Sequence, residues 1–177
     1  MKKVMFLFLM AGAFSCSSIK VVSDYDREAD FTKYKTYSIG ETNLTEVIGQ
    51  LNSDRVMKAL VAELEKKGFT KSDTPDMIVD VFIKTQQKVQ ATAYTSGGYG
   101  YRGRYGYGGG FSTTHVNYDE YTDGTLFINF IDKATEKIVW QGTGSKTLDE
   151  NASASKRESA ITYSIGQIMT QYPPSKK

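Results

Sequence analysis

The chain has 177 residues, with 22 Lys and Arg, 20 Asp and Glu and one His. That length suits a single domain able to bury a core, and an ordinary apolar content enriched in Tyr and Gly excludes wholesale disorder. Both surplus positive charges, Lys2 and Lys3, fall in the N-terminal leader; the remaining 20 basic groups balance 20 acidic ones, which excludes a general electrostatic pull toward nucleic acid or anionic lipid.

The leader pairs Lys2-Lys3 with an apolar run of about eleven residues, VMFLFLMAGAF. Such a run is too short to span a bilayer and suits a secretory signal. It ends at Ala13-Phe14-Ser15-Cys16, with small residues at the expected cleavage point. This resembles a bacterial lipoprotein signal, in which Cys16 receives a thioether-linked diacylglycerol and becomes the first mature residue. Ala13 stands where the strict pattern prefers Leu, so the match is to the relaxed version of Bacteroidota-type bacteria. Cys16 is the only cysteine, so it has no intramolecular disulfide partner. Two or three acyl chains, at ~0.8 kcal/mol per buried methylene, would anchor the chain permanently. By analogy with lipoprotein sorting, Ser17 implies the outer membrane, and the lack of an acidic cluster before Asp24 implies its periplasmic face. Residues 1–15 thus read as a cleaved signal and 16–19 as a short lipidated tether. Residues 20–177 read as one domain.

Lys20 to Asp26 and Tyr34 to Ile39, rich in β-branched and aromatic residues, predict two strands. The acidic spacing Asp24, Asp26, Glu28, Asp30 fails as a calcium loop, because Ala29 stands where Gly is needed and Lys35 where a bidentate Glu is needed. Ser53 is expected to cap a helix running to Lys67, with Gly68 ending it. Met57, Leu60, Val61 and Leu64 form its buried stripe, with Val56 at the edge. Residues 76–92 predict a long strand on which Met77, Val79, Val81 and Ile83 alternate, turning polar past Gln86 and projecting beyond the core.

Residues 94–110, YTSGGYGYRGRYGYGGG, hold five of the twelve Tyr and eight of the sixteen Gly. Gly98-Tyr-Gly100-Tyr-Arg-Gly103 satisfies a dinucleotide-binding spacing by chance, since glycine repetition makes such matches cheap and no helix start follows. Arg-Gly-Arg with interleaved Tyr is similar to RNA-binding tracts, a reading that export argues against. Two readings remain: a mobile hairpin tip, or a contact loop in which Tyr99, Tyr101, Arg102, Arg104, Tyr105 and Tyr107 meet a glycan or an envelope protein.

Residues 112–120 return as a strand carrying His115, which lacks the companions of a metal site. Asp123-Gly124 predicts a bulge, with the strand continuing through Leu126, Ile128 and Phe130 on one face. A turn over 132–137 leads to a strand with the only Trp. If Ile131 pairs with Ile138, Phe127 lies opposite Gly142, and Trp140, Gly142 and Gly144 line the face on which a helix packs closely; Gly142→Val should then destabilise the domain. Ser155-Lys-Arg-Glu158 predicts a capping box for a last helix, whose stripe is Ile161, Ile165, Ile168, Met169 and Tyr172. The sum is an α+β fold: an antiparallel sheet of about five or six strands with two helices on one face and a long Gly/Tyr-rich hairpin loop.

The segments DYDREADFTKYKTYSI (24–39), Lys67-Gly68-Phe69 with Pro75-Asp76, YTDGTLFINFIDKATEKIVWQGTG (121–144) and Tyr172-Pro173-Pro174 resemble the bacterial lipoprotein family catalogued as domain of unknown function 4136. The resemblance implies an envelope lipoprotein of one domain, with no cofactor and no catalytic residues. Asn129 stands where members typically carry Asp. Three functions are weighed. The first is a non-enzymatic, membrane-anchored interaction or assembly module. The second is a carrier of an apolar envelope ligand, with a cavity near Trp140. The third is an enzyme, for which the only material is the carboxylate group Asp119, Glu120 and Asp123, since no Ser lies in a nucleophile-elbow pattern.

Overall fold

The computed structural model describes residues 19–97 and 112–174. Six strands form one sheet: β1 (Lys20–Tyr25), β2 (Thr36–Thr42), β3 (Thr70–Lys71), β4 (Met77–Gly97), β5 (Ser112–Asp132) and β6 (Ile138–Thr147), in the order β1-β6-β5-β4-β2-β3. Helices α1 (Leu44–Ile48), α2 (Gln50–Lys66) and α3 (Ala154–Met169) complete the fold, and α2 and α3 pack together. The expected α+β arrangement forms, but the sheet is mixed rather than wholly antiparallel. β2 runs parallel to both β4 and β3. The cause is the return path: the chain leaves β2 through two helices, and such a crossover brings the next strand back in the same direction.

The first long helix does not begin at Ser53. Gly49, at φ +74, breaks the chain between α1 and α2, a backbone state open to Gly without strain. Ser53 lies buried inside α2, where its Oγ accepts from Thr45 Oγ1 at 3.2 Å. The buried line of α2 accordingly centres on Ser53, Val56, Leu60 and Leu64, leaving Met57 and Val61 half-buried. The expected end is found. Gly68, at φ +84, donates to the Glu65 carbonyl at 2.9 Å and Phe69 N–H to that of Leu64 at 3.0 Å, which satisfies two orphan carbonyls.

β4 and β5 pair without interruption from Met77↔Asp132 to Gly97↔Ser112, so the bulge expected at Asp123-Gly124 is absent. Leu148 packs over Gly124, where a Cβ would come within 2.9 Å of Leu148 Cδ2. The irregularity falls farther along β5, between Phe130 and Ile131. Ile131 pairs with Ile138, but Phe130 pairs with Trp140, so Val139 is the extra residue. This moves Ile128, not Phe127, opposite Gly142.

Trp140, Gly142 and Gly144 do line the face beneath α3, as expected. That helix is capped by Ser153, whose Oγ accepts from Lys156 N–H at 3.4 Å, two residues before the predicted Ser155. Ile165, Ile168, Met169 and the following Tyr172 are buried and Ile161 is half-buried. The Tyr172 ring meets Phe130 at 4.8 Å, Trp140 at 5.4 Å, Phe31 at 5.7 Å and Phe69 at 5.8 Å, an aromatic knot that closes one end of the core.

Candidate functional site

The feature that departs most from a closed two-layer fold is a ribbon. On its outer side β4 follows β2 as far as Thr42↔Val81. The Asn43 amide then supplies one more rung: Nδ2 donates to the Ile83 carbonyl at 3.1 Å and Oδ1 accepts from Ile83 N–H at 2.9 Å. On the other side β6 accompanies β5 to Asp123↔Thr147, and Leu148 N–H bonds the Thr122 carbonyl at 2.8 Å. Beyond these points only β4 and β5 continue, and no third strand joins them among the described residues. The residues from Lys84 to Gly97 reach roughly 45 Å at ~3.3 Å per residue.

Cross-strand partners share a face, so the pairing assigns the two sides of this ribbon. One side carries Val89, Ala91, Ala93, Val116 and Tyr118; the other carries Lys84, Lys88, Gln90, Tyr94, His115, Asn117 and Asp119. The apolar row lies on the same face as Met77, Val79 and Val81, which the helices bury, but Thr85 and Gln87 of β4 and Gly124, Thr122 and Glu120 of β5 come between, and Val89 is 61% exposed and Tyr118 70%. Tyr99, Tyr101, Arg102, Arg104, Tyr105 and Tyr107, the predicted contact residues, lie outside the described residues, as does Cys16.

A polar cluster sits at the opposite end of β5. Asp132 is buried, and its carboxylate accepts from Lys33 Nζ, from Tyr34 Oη at 2.8 Å, and from the N–H groups of Ala134 and Thr135 at 2.9 Å each. The hydrogen bonds from Lys33 and Tyr34 hold its carboxyl well below the usual carboxylate range. Burial, then the bond to Asp132, pushes the Tyr34 hydroxyl up to about 12. Asp76 beside it accepts from Thr36 Oγ1 at 2.8 Å and from the N–H groups of Thr36 and Lys35 at 3.0 and 3.1 Å, which lower its carboxyl. With Pro75, Lys133 and Ala134 these groups edge a shallow hollow of about 300 Å³. The Asp132 carboxylate takes four donors and so has no acceptor position left for a substrate proton. It pins the β5–β6 turn to the segment before β2.

The carboxylates weighed for catalysis are not brought together. Asp123 is bound by Lys88 Nζ at 2.6 Å and by Thr147 Oγ1 at 2.7 Å, and both lower its carboxyl. Asp119 projects from the ribbon's polar side, whereas Glu120 lies opposite Val89 on the other. Asp26 and Asp30 are engaged by local backbone N–H groups. Asn129 accepts from Gln141 Nε2 at 2.8 Å. The space beside Trp140 that a carrier would need is filled by Phe130, Tyr172 and Ile168. Among the described residues no group of three or more His, Cys, Asp or Glu is placed to hold a metal ion, and no helix is long and apolar enough to cross a membrane. Sequence reasoning missed Asn43 and Asp132, because a polar residue after a strand is an ordinary turn signal.

Together these features define a two-layer α+β domain with a protruding two-stranded ribbon. The family model described as Domain of unknown function (DUF4136) matches residues 21–174, and the chain belongs to that family. Nothing matches among curated proteins. Among solved structures, one similar chain is a PDZ domain protein from Parabacteroides distasonis, at 16% identity and TM-score 0.49, covering 90% of this chain and 36% of that one. Another is the PelC dodecamer from Paraburkholderia phytofirmans, at 14% identity and TM-score 0.47, covering 86% of this chain and 96% of that one.

Proposed function

We propose that this protein is a non-enzymatic lipoprotein, anchored through Cys16 on the periplasmic face of the outer membrane, that serves as an interaction or assembly module of the cell envelope. The observation that carries the reading is the ribbon, which sends an apolar row away from the helix-covered body. A signal segment ending at Cys16 supports the anchoring, and the start of β1 at Lys20 leaves a short tether that would hold the body near the bilayer. The ribbon would then present the tyrosines and arginines of residues 98–111 to an envelope protein or glycan.

The test is a pull-down from whole envelopes with the full chain and with a version lacking residues 97–110, each checked by mass spectrometry at Cys16. Acylated Cys16 and a partner lost with the deletion are expected. An unacylated Cys16 overturns the anchoring. Identical partners for both forms remove the loop as the contact and leave the ribbon's strands or the body.

A further inference from the structure

We infer that the ribbon lies along the membrane that holds Cys16, with the row Val89, Ala91, Ala93, Val116 and Tyr118 seated in the lipid interface. The inference rests on the reading as an anchored module and gives its ribbon one partner, a bilayer surface. The path of the chain into β1 carries it. Lys20 pairs with Ser145 and Ser145 with Thr125, so β1 begins only two residues along β5 from Asp123, where the pairing with β6 ends. The chain therefore enters the body at the end from which the ribbon leaves it.

It also enters on the same side. A Cβ on Gly144 would meet Ile168 Cδ1 at 2.7 Å and Ile19 Cδ1 at 2.8 Å, which places the Ile19 side chain on the face that α3 covers, the face the apolar row shares. Ile19 stands three residues after Cys16, about 10 Å at full stretch. β1 is two strands from β5, about 10 Å, and the row lies about 16–30 Å along β5 beyond Thr125. A tether this short keeps that end of the body against the bilayer, so the ribbon sets out at the membrane surface. It cannot cross the bilayer: beyond Ile83 and Thr122 the outer edges of β4 and β5 are unpaired among the described residues, and unpaired edges do not occur in hydrocarbon.

Chemistry decides which side meets lipid. Among the described residues the row's side carries one charged group, Glu120, opposite Val89 at the end nearest the body. The other side carries Lys84, Lys88, Asp119 and Asp123, with His115. Tyr118 joins an apolar ring to a hydroxyl that stays hydrated, the residue type that settles at a lipid–water boundary. Val47 of α1, Leu51 in the first turn of α2 and Leu148 beside Thr122 are exposed at the same end, so the body adds apolar surface there. No Lys or Arg lies on the row's side of the described ribbon, and the contact needs no anionic lipid. The row is too small to hold a protein on a membrane alone. A tethered contact is intramolecular, and it forms at a high effective concentration.

The experiment uses the full acylated chain in phosphatidylcholine vesicles, with Cys16 checked by mass spectrometry and a nitroxide on an introduced cysteine. The acylated Cys16 sulfur is a thioether, so only the new thiol takes the label. Ala91→Cys reports the row and Gln90→Cys the opposite side; both positions are exposed, so neither label disturbs the core. In vesicles the label at 91 should lose most of its collisions with a water-soluble nickel chelate and gain collisions with oxygen, which concentrates in lipid. The label at 90 should keep its nickel collisions. Val116→Cys and Asn117→Cys repeat the comparison on β5 if a β4 variant misfolds. Nickel collisions retained at 91 and 116 with Cys16 acylated overturn the inference and leave the anchored module standing. Loss of both nickel and oxygen collisions at 91 marks cover by a second copy and also overturns it, as does protection at 90 in place of 91. An unacylated Cys16 removes the anchor, and the inference falls with the reading it rests on.

Discussion

Replacing Gly142 with Val places three carbons where the structure has room for none. A Cβ at this position would meet Ile168 Cγ2 at 2.5 Å and Trp140 Cζ2 at 2.9 Å, and the indole edge at Cη2 closer still. Neither neighbour can yield. Trp140 is held between Phe130, at 4.8 Å between ring centres, and Tyr172, at 5.4 Å, and Ile168 is fully buried against the sheet. Overpacking a closed core costs about 1–3 kcal/mol, and two rigid neighbours put this site near the upper end, at about 3 kcal/mol. At about 2–4 °C per kcal/mol for a domain of this size, Tm should fall by about 6–12 °C. Trp140 is the only tryptophan, so its fluorescence on heating reports the loss of this packing directly. Gly124→Val is the matched control. Its Cβ would first meet the Leu148 side chain, itself 38% exposed, which can swing aside for less than about 1 kcal/mol. Equal Tm values for the two variants would refute the argument that close approach of α3, rather than loss of strand glycine, sets the cost.

Asp132→Asn keeps the shape but turns an amide NH₂ toward groups that are themselves donors, and should cost about 2–3 kcal/mol in urea unfolding at neutral pH. Because the folded Asp132 carboxyl lies below its unfolded value of about 4, the unfolded chain binds the extra proton first. The wild-type contribution is therefore complete above that value and is lost as pH falls toward the folded one; the variant should lack this part of the acid slope, and an unchanged slope would count against the role given to Asp132. Asn43→Ala removes both bonds to Ile83 and should cost about 1–2 kcal/mol. Hydrogen exchange should then speed up at Ile83 N–H while the Leu64–Phe69 bond stays protected, and equal changes at both would show global destabilisation instead of a lost rung.

Much of the architecture was legible in the chain. Period-two alternation at Met77, Val79 and Val81 and at Leu126, Ile128 and Phe130 named the buried face of the two long strands. Gly68 announced the end of α2, and the row from Ile165 to Tyr172 announced the face of α3. These signals are local: they depend on the helix or strand period and on what one residue's backbone permits. The candidate site was half legible. Polarity past Gln86 predicted the projection, but not the apolar row at Val89, Ala91, Ala93, Val116 and Tyr118, which becomes one surface only through the pairing of two strands.

The sequence by itself determined the long elements, their order and which side of the two long strands is apolar within the body, together with a leader resembling a lipoprotein signal that motivates the proposed location. Tertiary structure decided the rest: the parallel placement of β2 beside β4, the extra residue at Val139 that put Ile128 opposite Gly142, and the rung at Asn43 beyond which β4 pairs, among the described residues, with β5 alone. Each of these turns on a hydrogen-bond partner distant in the chain. The free energy that selects it lies in pairing and packing between elements, which no residue's own propensity encodes.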